Sequence, residues 1–456
     1  MLDFLFIIAA FLVAITVLIA VHEFGHFWVA KRLGVKVLRY SIGFGKPLWR
    51  RRFGPDQTEY VVAALPLGGY VKMLDEREGD VAKDELPRAF NRQSLATRFA
   101  VVSAGPAFNF LFAIIAYWLM FMIGVSGIKP VLGEVVPSSP AAAAGLASGD
   151  EIVAVAGDAT PIWHVAIQKL LPALIDRGQV TLSIRDGSGL ETTRELNLES
   201  IDPDTPPERF LNAIGFVPWR PLAPPTVYRV LEDRPAAAAG FKDGDRILSI
   251  DGVEMRSSSD LVDYVSARPG QPLEVVVERA AGGREALRVT PRRESDKDGR
   301  EVGRIGLIPV DAGEFPEEMK ADYRYSVVTG LGEGLKSTWN NSMLTLKMLG
   351  KIVIGEASLK NLSGPINIAR YAGQSASAGL PWYLSFLAIV SISLGIINLL
   401  PIPILDGGHL MYYIIEFFKG SPVSEQFEAV AQRLGIVVIA MLMSLAFYND
   451  LARIFG

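Results

Sequence analysis

The sequence predicts a membrane α-helical fold class: four transmembrane helices with membrane-reentrant β-structure, into which two α+β domains are inserted. Three observations predict it. Half of the 456 residues are apolar, four long segments are almost free of charge, and two segments of similar sequence follow each other at an offset of 95 residues. A chain of this length is too long for one hydrophobic core, so several domains are expected.

The first apolar segment, residues 4 to about 30, is predicted to be a retained transmembrane helix. Residues 4–21 carry no charge, and at 1.5 Å per residue they span roughly 27 Å, close to the thickness of a hydrocarbon core. Asp3 is the only charge before them and no small-residue cleavage site follows, which argues against a signal peptide. The other apolar segments are 99 to about 128, 380 to about 404, and 434–448.

Positive charges near the ends of these segments set the expected orientation. The loop after the first segment carries Lys31, Arg32, Lys36, Arg39 and the arginines 50–52. We therefore expect this loop in the cytoplasm. Four spans then leave both termini and the inserted domains on the other side of the membrane.

His22, Glu23 and His26 form an HExxH motif near the end of the first predicted helix. On a helix, histidines four residues apart lie on one face and can hold one metal ion, and a glutamate beside the first can act as a general base. Ionisable side chains at membrane depth are costly and usually functional. The motif therefore predicts a metal-dependent hydrolytic site inside the membrane.

The third apolar segment offers a third metal ligand, which a protein zinc site usually needs. Pro401 and Pro403 break the predicted helix, and Asp406 follows the break directly before two glycines. A break inside lipid exposes backbone groups and is normally found beside a cavity or a site. We expect the break to turn Asp406 back toward the first helix. His409 is the alternative ligand, and a helix that ends at the interface with Asp406 as its cap stays open.

The region between the second and third apolar segments contains an internal repeat. Residues 140–157 and 235–252 share the pattern P-A-A-A-A-G followed by G-D and a final glycine. An offset near one hundred residues indicates duplicated domains rather than a solenoid. Each copy is predicted to contain a short helix, a Gly-Asp turn and a strand, 152–155 or 247–250. The pattern resembles the signature of bacterial PDZ domains.

The loop after the first segment contains two β-like runs, 35–42 and 59–73. Gly43 and Gly45 directly follow the first run, and Gly68 and Gly69 lie within the second. An ordinary hairpin and a sheet that dips into the membrane beside the metal are both compatible with these runs. The second is tolerable where the backbone faces protein or a wet cavity.

Composition excludes several classes of function. The chain has no cysteine, which excludes disulfides and thiolate metal sites and leaves histidine and carboxylate as metal ligands. The formal net charge of −4, without a basic stripe, indicates no nucleic-acid partner. The apolar segments make membrane lipid an expected partner.

The motifs together resemble the site-2 protease family of intramembrane zinc metalloproteases. HExxH in the first segment and Asn-x-x-Pro-x-Pro-x-x-Asp-Gly in the third carry the resemblance, and residues 41–45, 67–72 and 103–109 match it as well. The resemblance implies zinc ligands His22, His26 and Asp406, with Glu23 as general base and acid. It also implies a group of residues that hold the substrate: Asn398, Pro401, Pro403 and, at the edge of the reentrant β-structure, Gly43, Gly45, Gly68 and Gly69.

The resemblance also implies partners and a location. Tandem PDZ domains in this position are typical of family members in the inner membrane of Gram-negative bacteria, with the PDZ domains and termini periplasmic and the site toward the cytoplasm. The implied substrates are single-span membrane proteins, namely an anti-sigma factor already trimmed by a first protease, and remnant signal peptides. The PDZ domains would either bind peptide or exclude untrimmed substrates.

The residues disfavour two other functions. A membrane PDZ scaffold with a structural metal site is disfavoured because structural zinc sites have four protein ligands and would leave Glu23 without a role. A metal transporter is disfavoured because the apolar segments carry too few carboxylates and histidines for an ion path.

The expected order along the chain is as follows: a first transmembrane helix with HExxH (1–31), a cytoplasmic loop with a reentrant β-hairpin (32–98), a second transmembrane helix (99–128), a first PDZ domain (129–219), a second PDZ domain (220–312), an amphipathic helical connector (313–379), a third transmembrane segment (380–409), a cytoplasmic loop (410–426) and a fourth transmembrane helix (427–450).

Overall fold

A computed structural model describes residues 2–202, 205, 209–296, 300–310, 315–356, 358–359 and 363–455. Its helices are α1 (Leu2–Arg32), α2 (Leu95–Ile123), α3 (Pro140–Ala143), α4 (Trp163–Ile175), α5 (Phe210–Ile214), α6 (Pro235–Ala238), α7 (Ser258–Ser266), α8 (Val327–Val353), α9 (Pro365–Ser377), α10 (Leu380–Leu399), α11 (Asp406–Lys419) and α12 (Glu425–Phe455).

The strands lie between these helices along the chain. They are β1 (Val37–Phe53), β2 (Thr58–Met73), β3 (Val125–Ile128), β4 (Leu132–Val135), β5 (Glu151–Val155), β6 (Asp158–Ala159), β7 (Gln179–Arg185), β8 (Glu191–Asn197), β9 (Phe216–Pro218), β10 (Val227–Val230), β11 (Arg246–Ile250), β12 (Val253–Glu254), β13 (Leu273–Glu278), β14 (Arg284–Val289), β15 (Arg292–Ser295), β16 (Glu301–Arg304), β17 (Leu307–Pro309) and β18 (Lys320–Tyr323).

Four helices among the described residues are long and apolar enough to cross a membrane: α1, α2, α10 and α12. The helices α1, α2 and α10 pack into one bundle whose buried side chains include Leu18, Tyr117 and Ile392. The helices α1 and α2 approach closely at Gly25, where a Cβ atom would lie 2.4 Å from the carbonyl oxygen of Ala104. The two α+β modules are inserted between α2 and α8. The predicted fold class is therefore confirmed.

The ends of two predicted segments were wrong. The helix α2 begins at Leu95 after the Ser94 cap and ends at Ile123, because Gly124 adopts a φ of +94°. Residues 125–128, expected to be helical, form β3, which pairs with β18. Residues 410–419, expected to be a loop, are helical because α11 continues to the left-handed C-cap at Gly420.

The strands β1 and β2 each fold back on themselves and together form one sheet. Residues 39–42 of β1 pair on one side with 69–72 of β2 and on the other side with 59–62, and residues 49–53 of β1 pair with 58–62. The sheet order is therefore 69–73, 37–42, 58–63, 47–53. Its turns carry exposed apolar side chains, among them Phe44, Leu48 and Leu65. An apolar tip is what a sheet that enters lipid requires.

The two inserted modules share one plan. The four-stranded sheets β6-β5-β7-β8 and β12-β11-β13-β14 have the same order, and each module adds a two-stranded pair, β4-β9 or β10-β17. The Gly-Asp turns are built alike: Asp150 accepts a hydrogen bond from the Ala147 amide, and Asp245 accepts one from Lys242, both at 2.8 Å. The repeat in the sequence is thus a repeat in structure.

The helix α8 packs between the first module and the membrane helix α2. One face packs on α2, where Gly334 would bring a Cβ within 3.0 Å of the Ile114 carbonyl oxygen. The lysines of α8 contact the module: Lys336 Nζ donates to Asp158 at 2.5 Å, and Lys351 Nζ donates to the Ile175 carbonyl at 2.7 Å. Burial pushes the pKa of Asp158 upward, but hydrogen bonds from Lys169 and Lys336 outweigh it and hold this pKa below its usual range.

Buried Asp450 fixes the end of α12. Its carboxylate accepts hydrogen bonds from the amides of Gly364, Ile366 and Asn367 and from the Asn367 side chain, at 2.6 to 3.1 Å. Since these amides begin α9, the contact is a helix cap supplied from another helix.

Candidate active site

Three ligand-type side chains meet between α1 and α11. Nε2 of His22 lies 3.2 Å from Nε2 of His26 and 3.2 Å from Oδ2 of Asp406. Nε2 of His26 lies 3.5 Å from the same oxygen. Among the described residues this is the one group of three His, Cys, Asp or Glu side chains close enough to share an ion.

The spacing of these atoms fits zinc. Ligand atoms about 2.0–2.1 Å from one tetrahedral ion lie about 3.3 Å from each other, which matches the three observed separations. Oδ2 of Asp406 is buried and accepts no hydrogen bond of good geometry from the described residues. A buried carboxylate oxygen without such a partner is costly, and a cation would remove that cost. Two imidazoles and one carboxylate form a typical catalytic zinc donor set.

Glycine lets α2 lie against the two imidazole rings. A Cβ on Gly105 would lie 2.3 Å from Nε2 of His26 and 2.8 Å from Cε1 of His22. The same helix holds the rings from behind, because Nδ1 of His26 is 2.9 Å from the carbonyl oxygen of Val101 and Nδ1 of His22 is 3.2 Å from the side chain of Asn109. The helix α2 is therefore the wall of the site although it supplies no ligand.

The break after α10 brings Asp406 to the histidines. The helix ends at Leu399, and Asp406 begins α11. The turn requires glycines, since a Cβ on Gly407 would lie 2.2 Å from the Leu400 carbonyl oxygen and one on Gly408 would lie 2.5 Å from that of Ile402. The Pro-x-Pro sequence thus has the geometric effect expected from it.

An ion pair anchors α11 to α2. The Arg98 guanidinium donates to both carboxylate oxygens of Glu416 at 2.5 and 3.1 Å and lies over the ring of Tyr413 at 5.0 Å. Both charged side chains are about five-sixths buried, with 15% and 16% exposure. Because Asp406 begins the helix that Glu416 holds, the pair fixes the direction from which Asp406 enters the site.

Glu23 lies between the metal ligands and the edge of the β1–β2 sheet. Its charge interacts with His22, His26 and Asp406. A Cβ on Gly69 would lie 2.9 Å from Cγ of Glu23. The half of β2 that contains Gly69 pairs with β1 on one side and with no other described strand on the opposite side. An open strand edge therefore passes beside Glu23.

The other predicted site residues lie around this centre. Asn398 is half-buried in the last turn of α10, and Pro401 and Pro403 form the break. Gly43 and Gly45 lie at a turn of the sheet with φ of +90° and +87°. They and Gly68, which packs against the Phe44 ring, line the tip of the sheet and are not in contact with the ligand group.

The two remaining histidines are outside the ligand group. His409, the alternative ligand, packs edge-on against Tyr412. His164, expected to be a surface or packing residue, lies on the exposed side of α4 with its ring centroid 4.5 Å from that of Trp382. Sequence reasoning did not single out Val101 or Arg98, and it included Gly105 only as part of the motif 103–109. Asn109 belongs to the same motif. A side-chain amide in an apolar span is a signal from which its role at the site could have been predicted.

The fold and the site together define a membrane-embedded metallopeptidase. Residues 10–442 match the sequence model of peptidase family M50. The chain belongs to this family.

Similar proteins cover the whole chain. It is 44% identical to the regulator of sigma-E protease RseP of Salmonella typhimurium and 43% identical to that of Escherichia coli, over 100% of each chain. It is also 44% identical, again over 100% of both chains, to a putative zinc metalloprotease of Vibrio cholerae. Among solved structures, a PDZ domain of a SdrC-like protein from Listeria innocua aligns with 19% of this chain and 92% of its own at 27% identity, with a TM-score of 0.16.

These similarities confirm the resemblance to the site-2 protease family. The protein is a zinc metalloprotease and a multi-pass protein of the inner membrane. Family membership favours an enzyme over the scaffold and transporter alternatives.

Proposed function

We propose that this protein hydrolyses a peptide bond within the transmembrane segment of single-span membrane proteins. The observation that carries the proposal is the placement of the His22, His26 and Asp406 donors, with Glu23 beside them, between helices apolar enough to cross a membrane. A site at this depth acts on a chain that is itself inside the bilayer.

The residues divide the chemical work. His22, His26 and Asp406 would hold zinc, which when bound acts as a Lewis acid on the peptide carbonyl and makes water easier to deprotonate. Glu23 takes the proton from the attacking water and returns it to the leaving amine nitrogen. Because Cγ of Glu23 lies next to Gly69 at the β2 edge, its carboxylate has access to a substrate lying along that edge.

The open edge of β2 supports a way to unwind the substrate. A transmembrane helix hides its carbonyl groups in its own hydrogen bonds. Strand addition to residues 69–73 would replace these bonds with intermolecular ones and expose one carbonyl next to Glu23. Helix-breaking residues in the substrate should then favour cleavage. Gly43, Gly45 and Gly68 would serve by keeping the tip of the sheet narrow.

The break between α10 and α11 would hold the substrate from the other side. The side-chain amide of Asn398 makes no hydrogen bond within the described part of the chain. Pro401 and Pro403 leave backbone groups of the break without helical partners. Both are donors or acceptors that an extended substrate backbone could use.

The two PDZ modules are proposed to act as a filter that admits only substrates trimmed on the periplasmic side. Docking of the first module on the membrane helices supports this, because Ile162 and Val165 share a buried cluster with residues of α2 and α10. Deletion of both modules separates filtering from binding. Cleavage of untrimmed substrates would support the filter, and loss of cleavage of trimmed substrates would instead support peptide binding.

The names of the relatives support a proposal for the substrate class. Proteins 43–44% identical over the full length are named regulators of sigma-E protease, and we propose the same role here. The substrates would be an anti-sigma factor with one span, already cut by a first protease, and remnant signal peptides. The lysines and arginines after α1 support a cytoplasmic position for the site, with the modules and termini periplasmic.

Cleavage in reconstituted liposomes tests the proposal. A single-span substrate, trimmed or untrimmed on its outer side, is incubated with the wild type and with Glu23→Gln, and the fragments are mapped by mass spectrometry. We expect a cut within the apolar segment of the trimmed substrate by the wild type alone. Cuts confined to residues outside the span would contradict an intramembrane peptidase.

A further inference from the structure

The two histidines of the metal site differ in what lies behind their second ring nitrogen. Nδ1 of His26 is 2.9 Å from the Val101 carbonyl oxygen, which can only accept a hydrogen bond. Nδ1 of His22 is 3.2 Å from Nδ2 of Asn109, which can only donate. Val101 and Asn109 lie on one face of α2, about two turns apart.

This difference has a chemical consequence because the two nitrogens of an imidazole are coupled. Nε2 of both rings faces Oδ2 of Asp406, so Nε2 is the atom directed at the metal position. A neutral imidazole that ligates through Nε2 carries its hydrogen on Nδ1. The Nδ1–H group of His22 then needs an acceptor, and an amide nitrogen is not one.

The Asn109 side chain contains an acceptor without a partner. Asn109 is fully buried, and its Oδ1 accepts no hydrogen bond from the residues that the structure describes. The backbone at this position is held in place, since Ser391 Oγ donates to the Asn109 carbonyl at 2.8 Å. A half-turn of the amide about χ2 exchanges its oxygen and nitrogen and brings Oδ1 to His22 without moving α2.

We propose that Asn109 is a positioning residue of the metal site, whose Oδ1 accepts a hydrogen bond from Nδ1–H of His22 and holds Nε2 toward the metal. The inference rests on the three-ligand site proposed above. It gives the two histidines equivalent support from α2: a backbone carbonyl for His26 and a side-chain carbonyl for His22. It also accounts for a fully buried amide in an apolar helix, which is otherwise costly.

Zinc affinity of the full-length protein, measured by competition with a chelator, tests this role apart from activity. Loss of the acceptor in Asn109→Leu, which has a similar volume, should weaken zinc binding about 10–100-fold. Asn109→Asp can accept but cannot donate, and it should keep wild-type affinity or exceed it. Should the leucine variant not fold, Asn109→Ala provides the same comparison with aspartate.

A control on the same helix separates this effect from a general loss of packing. Tyr117 is fully buried on α2, two turns beyond Asn109, and its hydroxyl accepts a hydrogen bond from Asn341. Tyr117→Phe should leave zinc affinity unchanged. Equal weakening by Asn109→Asp and Asn109→Leu, or wild-type affinity in Asn109→Leu, would overturn the proposal. Neither result would bear on the assignment of the three zinc ligands. That assignment is tested separately, by whether the wild type and Glu23→Gln each bind one zinc ion.

Discussion

Oδ2 of Asp406 lies 3.2 Å from Nε2 of His22, although the two residues come from the last and the first quarter of the chain. The contact exists because α10 stops at Leu399 and the chain re-enters a helix at Asp406. A continuous helix would carry the carboxylate away from α1. The broken span is therefore the feature that converts an HExxH helix into a three-ligand site.

The close approach of α2 to the rings predicts the effect of one methyl group. Gly105→Ala would place Cβ 2.3 Å from Nε2 of His26, so the imidazole rings must shift from the positions in which they face Asp406. We expect zinc affinity to fall about tenfold or more. Gly332→Ala, in α8 with no atom within 4 Å of the added methyl, is the matched control and should bind zinc normally. Wild-type zinc affinity in Gly105→Ala would show that the packing of α2 against the two imidazole rings does not position them.

The ion pair between Arg98 and Glu416 predicts a long-range effect on the site. Glu416→Gln leaves a mostly buried guanidinium without its counter-charge, a change that costs about 3–5 kcal/mol in comparable buried pairs. We expect a lower melting temperature and weaker zinc binding, because α11 loses its anchor.

The double variant Arg98→Met/Glu416→Leu checks the cause. It removes both charges and should recover most of the stability, since apolar replacement of a buried pair is often neutral. A double variant as unstable as Glu416→Gln would mean that packing in this region, and not the unpaired charge, sets the effect.

Acid should loosen the contact between the first module and the membrane helices. Desolvation of its ring beside Trp382 lowers the pKa of His164 to about 4. A fully solvated histidine titrates near 6.5, so the released state takes up the proton first as the pH falls. The contact has its full stability above about pH 6.5 and weakens as the pH falls toward about 4.

Limited proteolysis in liposomes measures this pH effect. Between about pH 7.5 and about pH 5 the wild-type module should become more susceptible, whereas His164→Phe should respond less because it has no titrating ring there. Equal responses of the two proteins would assign the acid effect to other groups.

The β2 edge beside Glu23 predicts a variant that separates turnover from metal binding. In Gly69→Ala the added Cβ would lie 2.8 Å from the Ser41 carbonyl oxygen and 2.9 Å from Cγ of Glu23, which narrows the space along the edge. We expect lower kcat with unchanged zinc content, because no zinc ligand is touched. Gly79→Ala, in an open position of the same loop region, should behave as the wild type. Undiminished turnover in Gly69→Ala would remove the edge from the mechanism.

Much of this architecture could be predicted because its signals are local. Apolar length predicts spans, a spacing of four on a helix predicts that His22 and His26 share a face, and Pro401 and Pro403 predict a break before Asp406. The repeated Gly-Asp pattern predicts two modules of the same plan.

The remaining features depend on contacts between distant segments. The pairing of β3 with β18, marked by the hydrogen bond from Ser126 to Asp322, turns a predicted helix end into a strand. The support from Val101 uses a backbone carbonyl, for which no side chain is diagnostic. The order of the folded-back sheet depends on which halves of β1 and β2 meet, and alternation along each strand does not specify this.

The most direct test of the central claim measures zinc content and cleavage together in reconstituted membranes. The wild type is compared with Glu23→Gln and Asp406→Ala, using a trimmed single-span substrate. We predict that Glu23→Gln retains one zinc per chain and does not cleave, and that Asp406→Ala loses both zinc and cleavage. Cleavage by Glu23→Gln, or full zinc occupancy in Asp406→Ala, would contradict the assignment of base and ligand.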